Sequence, residues 1–197
     1  MTMSIDRKSQ VSEPIGNCIP VIELFRGEVR QSVVRYAVVN VHRKPFTRSD
    51  ILDHTEISSE SFRKHKNKIE EFGILDCISD ECKNIPHYRP AETDVVRSLR
   101  MWGLETPLVL FETRGSRKLV EFFLVTADPN RSYSINGIQR EGGPGRDAVA
   151  NNIDDLVNAG LVSEVDGSRG TEYLLDSESE TYNHIQNLNR VIAEYRS

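Results

Sequence analysis

The chain contains an internal repeat. When the 197-residue sequence is shifted by 87 positions, Pro20–Leu75 lies over Pro107–Val162 without a gap. Val33 meets Val120, Tyr36 meets Phe123, Phe46 meets Tyr133 and Ile51 meets Ile138. Phe62 then meets Val149, Ile69 meets Leu156 and Gly73 meets Gly160. Identities are few, but apolar positions keep their order through three successive helical patterns. Self-similarity at a fixed spacing marks one structural unit used twice. The chain must therefore build the same small architecture in both places.

Apolar side chains at helical spacing predict a first helix near Glu28–Val41 in one unit and near Gly115–Ala127 in the other. Thr47 and Ser134 follow at N-cap positions, where a hydroxyl accepts from an otherwise unpaired backbone N–H. Short helices are expected over Arg48–His54 and Ile135–Glu141. Third helices are expected over Ser59–Phe72 and Arg146–Ala159. They end at Gly73 and Gly160, since glycine tolerates the left-handed cap. Two β-like stretches around a polar turn come next, "ILDCISDECKNIPHYRP" and "LVSEVDGSRGTEYLL", the second with a hairpin signal at Asp166-Gly167. A further helix follows each unit, Glu92–Trp102 and Glu178–Arg196. Three helices and a two-stranded wing, twice, is a tandem winged helix-turn-helix, mostly α with small β wings (α+β). The expected boundaries are a partly flexible arm over 1–19, a first winged-helix domain over 20–91 and a connector helix over 92–106. A second winged-helix domain over 107–176 and a C-terminal helix over 177–197 complete the chain.

"FTRSDILDHTEISSESFRKHKNKIEEFGIL" and "YSINGIQREGGPGRDAVANNIDDLVNAGLV" resemble the helix-turn-helix of MarR/ArsR-type winged-helix regulators. With "SRKLVEFFLVTADPNRSYSINGI" before it and "SRGTEYLLD" after it, the second is similar to winged-helix regulators of haloarchaea. Together the copies, over roughly residues 20–176, resemble a haloarchaeal tandem winged-helix protein of plasmids and proviruses. The resemblance implies a DNA-binding transcriptional regulator. It says little about the target.

In such a fold the third helix enters the major groove and the wing touches backbone or minor groove. With Phe62 and Ile69 inward, the first third helix presents Glu60, Arg63, Lys64, Asn67 and Lys68, and the candidate contacts are Ser59, Arg63, Lys64, Asn67 and Lys68. Arg and Lys reach guanine or phosphate, and Asn pairs with adenine. Lys83 and Arg89 on the first wing are further candidates. Lys66 stands where the second copy has Ile153, and its stem is expected to lie along the core edge with the ammonium turned outward. The second copy replaces this basic face with Asp147, Ala150, Asp154 and Asp155, leaving Arg146, Asn151 and, on its wing, Arg169 as candidate contacts. The first copy is thus expected to read double-stranded DNA and the second to organise the assembly. Charge agrees: the net charge is -5, but Arg26–Pro90 is slightly basic while both flanks are acidic.

Tyr182, Ile185, Leu188, Ile192 and Tyr195 form one stripe on the last helix. It is expected to pack on the chain or to join a homodimer reading an inverted repeat. The composition, 38% hydrophobic and 28% charged, suits a folded chain. No apolar run is long enough for a bilayer, and the first residues lack a secretory pattern, so a cytoplasmic, nucleoid-associated protein is expected. Three cysteines, Cys18, Cys77 and Cys82, make no disulfide framework. Cys77, Cys82 and His87 supply three donors at unfamiliar metal spacing, so no metal is expected. "EGGPGR" lacks the Lys-Ser/Thr pair of a phosphate loop and reads better as a turn between helices. No catalytic arrangement is evident, and neither an enzyme nor a cofactor is expected. The alternatives to a regulator are a non-enzymatic adapter in a chromosome-organising or replication complex, or a plasmid or viral replication initiator.

Overall fold

The computed structural model describes residues 19–40, 45–78, 86–168 and 170–197. Cys18, Cys82, Lys83 and Arg169 lie outside the described residues, as does the expected N-terminal arm apart from Ile19. The described chain is mostly helical with two small antiparallel sheets, an α+β class. It begins with α1 (Pro20–Leu24), α2 (Glu28–Val39), β1 (Phe46–Thr47), α3 (Arg48–Thr55) and α4 (Ser59–Glu71). The strands β2 (Leu75–Ile78) and β3 (His87–Pro90) complete a sheet of order β1-β3-β2, in which Phe46 pairs with Tyr88 and Leu75 with Pro90. Two helices follow, α5 (Asp94–Trp102) and α6 (Glu105–Phe111). The second repeat then runs through α7 (Arg114–Glu121), α8 (Ile135–Arg140), α9 (Arg146–Ala150), α10 (Ile153–Asn158) and the hairpin β4 (Val162–Gly167) and β5 (Gly170–Leu175). The last helix is α11 (Glu180–Arg196).

Several matched positions of the sequence repeat carry the same local devices. Thr47 caps α3 through a reciprocal box, its own N–H donating to Asp50 Oδ2 at 2.6 Å. Ser134 caps α8 by accepting from Gly137 N–H at 3.1 Å. Each cap contributes roughly 1 kcal/mol. At the other end, Ile74 N–H reaches back to Ile69 O and Leu161 N–H to Leu156 O. These bonds close a C-terminal loop around Gly73 (φ +67) and Gly160 (φ +71). The "EGGPGR" segment closes α8 in the same way, with Gly143 N–H donating to Ile138 O at 2.8 Å. Tyr133 pairs with Tyr173 as Phe46 pairs with Tyr88, linking each short helix to its hairpin.

Three expectations need correction. The second third helix is interrupted between α9 and α10, where Asn152 turns back: its Nδ2 donates to Ala148 O at 2.6 Å and its Oδ1 accepts from Thr113 Oγ1 at 2.7 Å. A side chain satisfied this way competes with the helical ladder. The expected helix Gly115–Ala127 keeps α-geometry only through α7. It continues as a π-helical turn over Phe122–Thr126, with Ala127 N–H bonded to Phe122 O at 2.9 Å. Finally, α6 crosses the boundary drawn between residues 106 and 107.

One hydrophobic core runs from Val21 to Ile192 and joins the repeats. Phe25 and Phe111 stack with centroids 5.2 Å apart, and Gln31 Nε2 donates to the carbonyls of both residues at 2.8 Å. The last helix closes this seam by packing along α5 and α1. Val21 N–H donates to Asn189 Oδ1 at 3.0 Å, and Trp102 stacks on His184 at 5.8 Å. Ile185, Leu188 and Ile192 are buried in the chain's own core, each burial stabilising by roughly 1.5–3 kcal/mol. The stripe proposed for dimerisation is therefore mostly spent within the chain. Tyr182 is half-buried, and Tyr195, 45% exposed, lies against Gly73.

Gly73 and Gly160 differ in their surroundings. A Cβ on Gly73 would lie 2.9 Å from the Tyr195 ring, whereas one on Gly160 would meet nothing within 4 Å. Gly160→Ala should cost roughly 1–2 kcal/mol for the left-handed backbone alone, and Gly73→Ala should cost more. Urea denaturation checks this, and adding Tyr195→Ala to Gly73→Ala should remove the steric part of the difference.

Candidate nucleic-acid interface

The helix α4 buries one face and exposes a side rich in cations. Ser58 caps it, its Oγ accepting from Ser61 N–H at 3.1 Å. Phe62 and Ile69 face the core, where Phe62 meets Tyr88 edge-on at 5.5 Å. The steps between these apolar positions leave Ser59, Glu60, Arg63, Lys64 and Asn67 exposed and Lys68 half-buried. Arg63 and Asn67, one turn apart, have neither an ion pair nor a side-chain hydrogen bond among the described residues.

The lysines of this helix are differently placed. Lys64 Nζ lies 2.8 Å from Glu60 Oε1, and Lys68 Nζ lies 2.9 Å from Glu71 Oε2. The hydrogen bond from Lys68, reinforced by its charge, holds the Glu71 carboxyl below its ordinary pKa. Lys66 does run along the core edge, over the Tyr88 ring, but its ammonium turns to Glu70 at 3.6 Å. Three of the four formal cations on α4 thus carry an acid partner three or four residues away. The more exposed pairs, those of Lys64 and Lys68, are worth only about 0.3–0.5 kcal/mol, so a phosphate can displace them. Glu60, Glu70 and Glu71 stand three or four residues from these lysines, a spacing visible in the sequence.

On its inner edge α4 is tied to the first helices. Arg30 Nε donates to His65 Nδ1 at 3.4 Å, while Arg30 Nη1 meets the carbonyl of Glu23 and lies 3.5 Å from its carboxylate. Burial lowers the pKa of His65, and the charges of Arg30 and Lys64 lower it further. His54 takes a structural place, its Nδ1 2.7 Å from Asp50 O and its ring against Tyr36.

The other candidates are less available. Arg89 is exposed on β3, but its Nε donates to Asp76 Oδ2 across the strands at 3.2 Å. In the second repeat Arg146 and Asn151 are exposed, beside Asp147 and Asp154, which are exposed too. The interruption at Asn152 denies this repeat the unbroken helix that α4 offers. Cys77 pairs in register with Tyr88, and His87 with Ile78, so Cys77 and His87 point to opposite faces of the sheet and cannot share an ion. Among the described residues no three His, Cys, Asp or Glu side chains are grouped to hold a metal. No described helix is long and apolar enough to cross a membrane.

Comparison of the sequence with protein-family models and with curated proteins returns no match.

The environment of His65 makes a titration testable. A proton on Nδ1 removes the acceptor that Arg30 uses, so the folded state resists protonation more than the unfolded chain. Stability should then be unaffected by this residue well above pH 6.5. It should fall as pH drops from that value toward the lower folded-state pKa, since the unfolded chain binds more protons in that window. NMR titration should place His65 below 6.5, and Arg30→Met should move it upward.

Proposed function

We propose that the protein is a sequence-specific regulator of double-stranded DNA, built on a tandem winged-helix frame and reading the major groove with α4. The observation that carries this reading is the exposed pair Arg63 and Asn67, unengaged and one helical turn apart. Arginine is suited to guanine O6 and N7 and asparagine to adenine N6 and N7, and a helix is the element that a major groove admits. Lys64 and Lys68 are placed to leave their glutamates for phosphates on either side. The second repeat, with its acidic face and interrupted helix, serves the assembly by completing the shared core. A dimer on an inverted repeat would need a surface other than the buried stripe of α11.

One observation favours an adapter instead: the lysines of α4 are neutralised internally in a chain of net charge -5. Binding to duplexes selected from a random-sequence library separates the two. The regulator reading expects enrichment of one motif. Arg63→Ala and Asn67→Ala should each weaken binding to it roughly 5- to 150-fold, in line with 1–3 kcal/mol per bidentate contact. Asn151→Ala should change affinity less than about twofold if it makes no such contact. Absence of any enriched motif at low salt sinks the regulator reading. Loss of binding through Asn151→Ala alone moves the reader to the second repeat.

A further inference from the structure

The seam between the repeats carries a second cluster of cations, outside α4. A cleft of about 350 Å³ lies between the end of α1 and the outer face of α7. Arg26, Arg114, Arg117 and Lys118 line it, against two carboxylates, Glu23 and Glu121. Arg117 is the structural member, its Nη1 donating to Phe111 O at 2.7 Å and Glu112 O at 2.9 Å. It stands at the repeat position of Arg30, which binds the end of α1 in the same manner. Burial lowers the pKa of Arg117, and the charges of Arg26 and Arg114 lower it further. The three guanidiniums line one cleft, where like charges repel. Arg26 leans on Glu23 at 3.0 Å. Arg114 and Lys118 are exposed, four residues apart on one face of α7, and have no ion-pair partner among the described residues.

Crowded cations in a chain of net charge -5 destabilise the fold unless an anion joins them. The neutralisation seen on α4 is only partial here: Arg26 has Glu23, but Arg114 and Lys118 have no ion-pair partner among the described residues. A relay of three side-chain contacts links the inner edge of α4 to the cleft: His65 to Arg30, Arg30 to Glu23, and Glu23 to Arg26. A helix seated in a major groove about 12 Å wide is flanked by the two backbones that bound the groove. We infer that the seam cleft is a phosphate-binding site, which holds a backbone phosphate of the duplex read by α4. This inference rests on the DNA-binding reading above. The cleft supplies affinity without base discrimination, because it meets phosphate alone.

The test compares three full-length proteins over a salt series: wild type, Arg114→Ala with Lys118→Ala, and Arg63→Ala with Asn67→Ala. Each is titrated with the selected duplex and with a scrambled one. The Arg114/Lys118 variant should lose affinity for both duplexes by the same factor. Its log-affinity against log-salt slope should become shallower by about one for each phosphate released. The Arg63/Asn67 variant should lose affinity chiefly for the selected duplex. Thermal melting shows whether each variant folds, and Arg114→Gln with Lys118→Gln repeats the test with longer polar side chains. Unchanged affinity and slope in both Arg114/Lys118 variants, beside a weakened Arg63/Asn67 variant, overturn the cleft and leave the DNA reading standing. Failure of wild type to hold any duplex at low salt overturns both. Inorganic phosphate that shifts the Arg114 and Lys118 NMR signals, with no effect of their substitution on duplex binding, assigns the cleft to a free anion and overturns the backbone assignment.

Discussion

Two peptide carbonyls from different repeats, those of Phe25 and Phe111, converge on the buried amide of Gln31. Without it the Phe25 carbonyl would end a short helix with no partner among the described residues, at a cost of about 1–3 kcal/mol. The stacked rings of the same two residues exclude water around that amide. This one junction sets where the second repeat sits, and α5, α6 and α11 pack around it. Arg117 binds the same Phe111 carbonyl from the other side, so the geometry of the seam cleft follows from the same junction.

Much of the local architecture was legible in the chain. The caps at Thr47 and Ser134 and the terminating Gly73 and Gly160 are local devices, decided by one side chain and its neighbours within a turn. The 87-residue shift carried each from one repeat to the other. The interruption at Asn152 was not legible. Its amide is held by Thr113, 39 residues away, and the run around it keeps helical apolar spacing. The π-helical turn after α7 escaped for a similar reason, since Phe122 and Phe123 suit a helical core of either pitch.

The candidate interface was legible in part. The exposure of Arg63 and Asn67 follows from helical periodicity around Phe62 and Ile69. The pairing of Lys64, Lys66 and Lys68 with glutamates was readable from spacing, and it changes the character of the face from strongly basic to nearly balanced. The seam cleft was hidden, because Arg26 and Arg114 are far apart in the chain. They share a surface through the packing of α1 beside α7, a consequence of the junction at Gln31.

By itself the sequence determined most of the helices, several of their caps and stops, the 87-residue self-similarity, and which repeat carries a basic third helix. These depend on short-range hydrogen bonding and on the period of apolar side chains, both written within a few residues. Tertiary structure alone decided the fate of the stripe on α11. An apolar helical face specifies that something must cover it, but not what. Here α5 and α1 lie within reach and remove Ile185, Leu188 and Ile192 from water, so the face that reads as an invitation to a second subunit is satisfied within one chain.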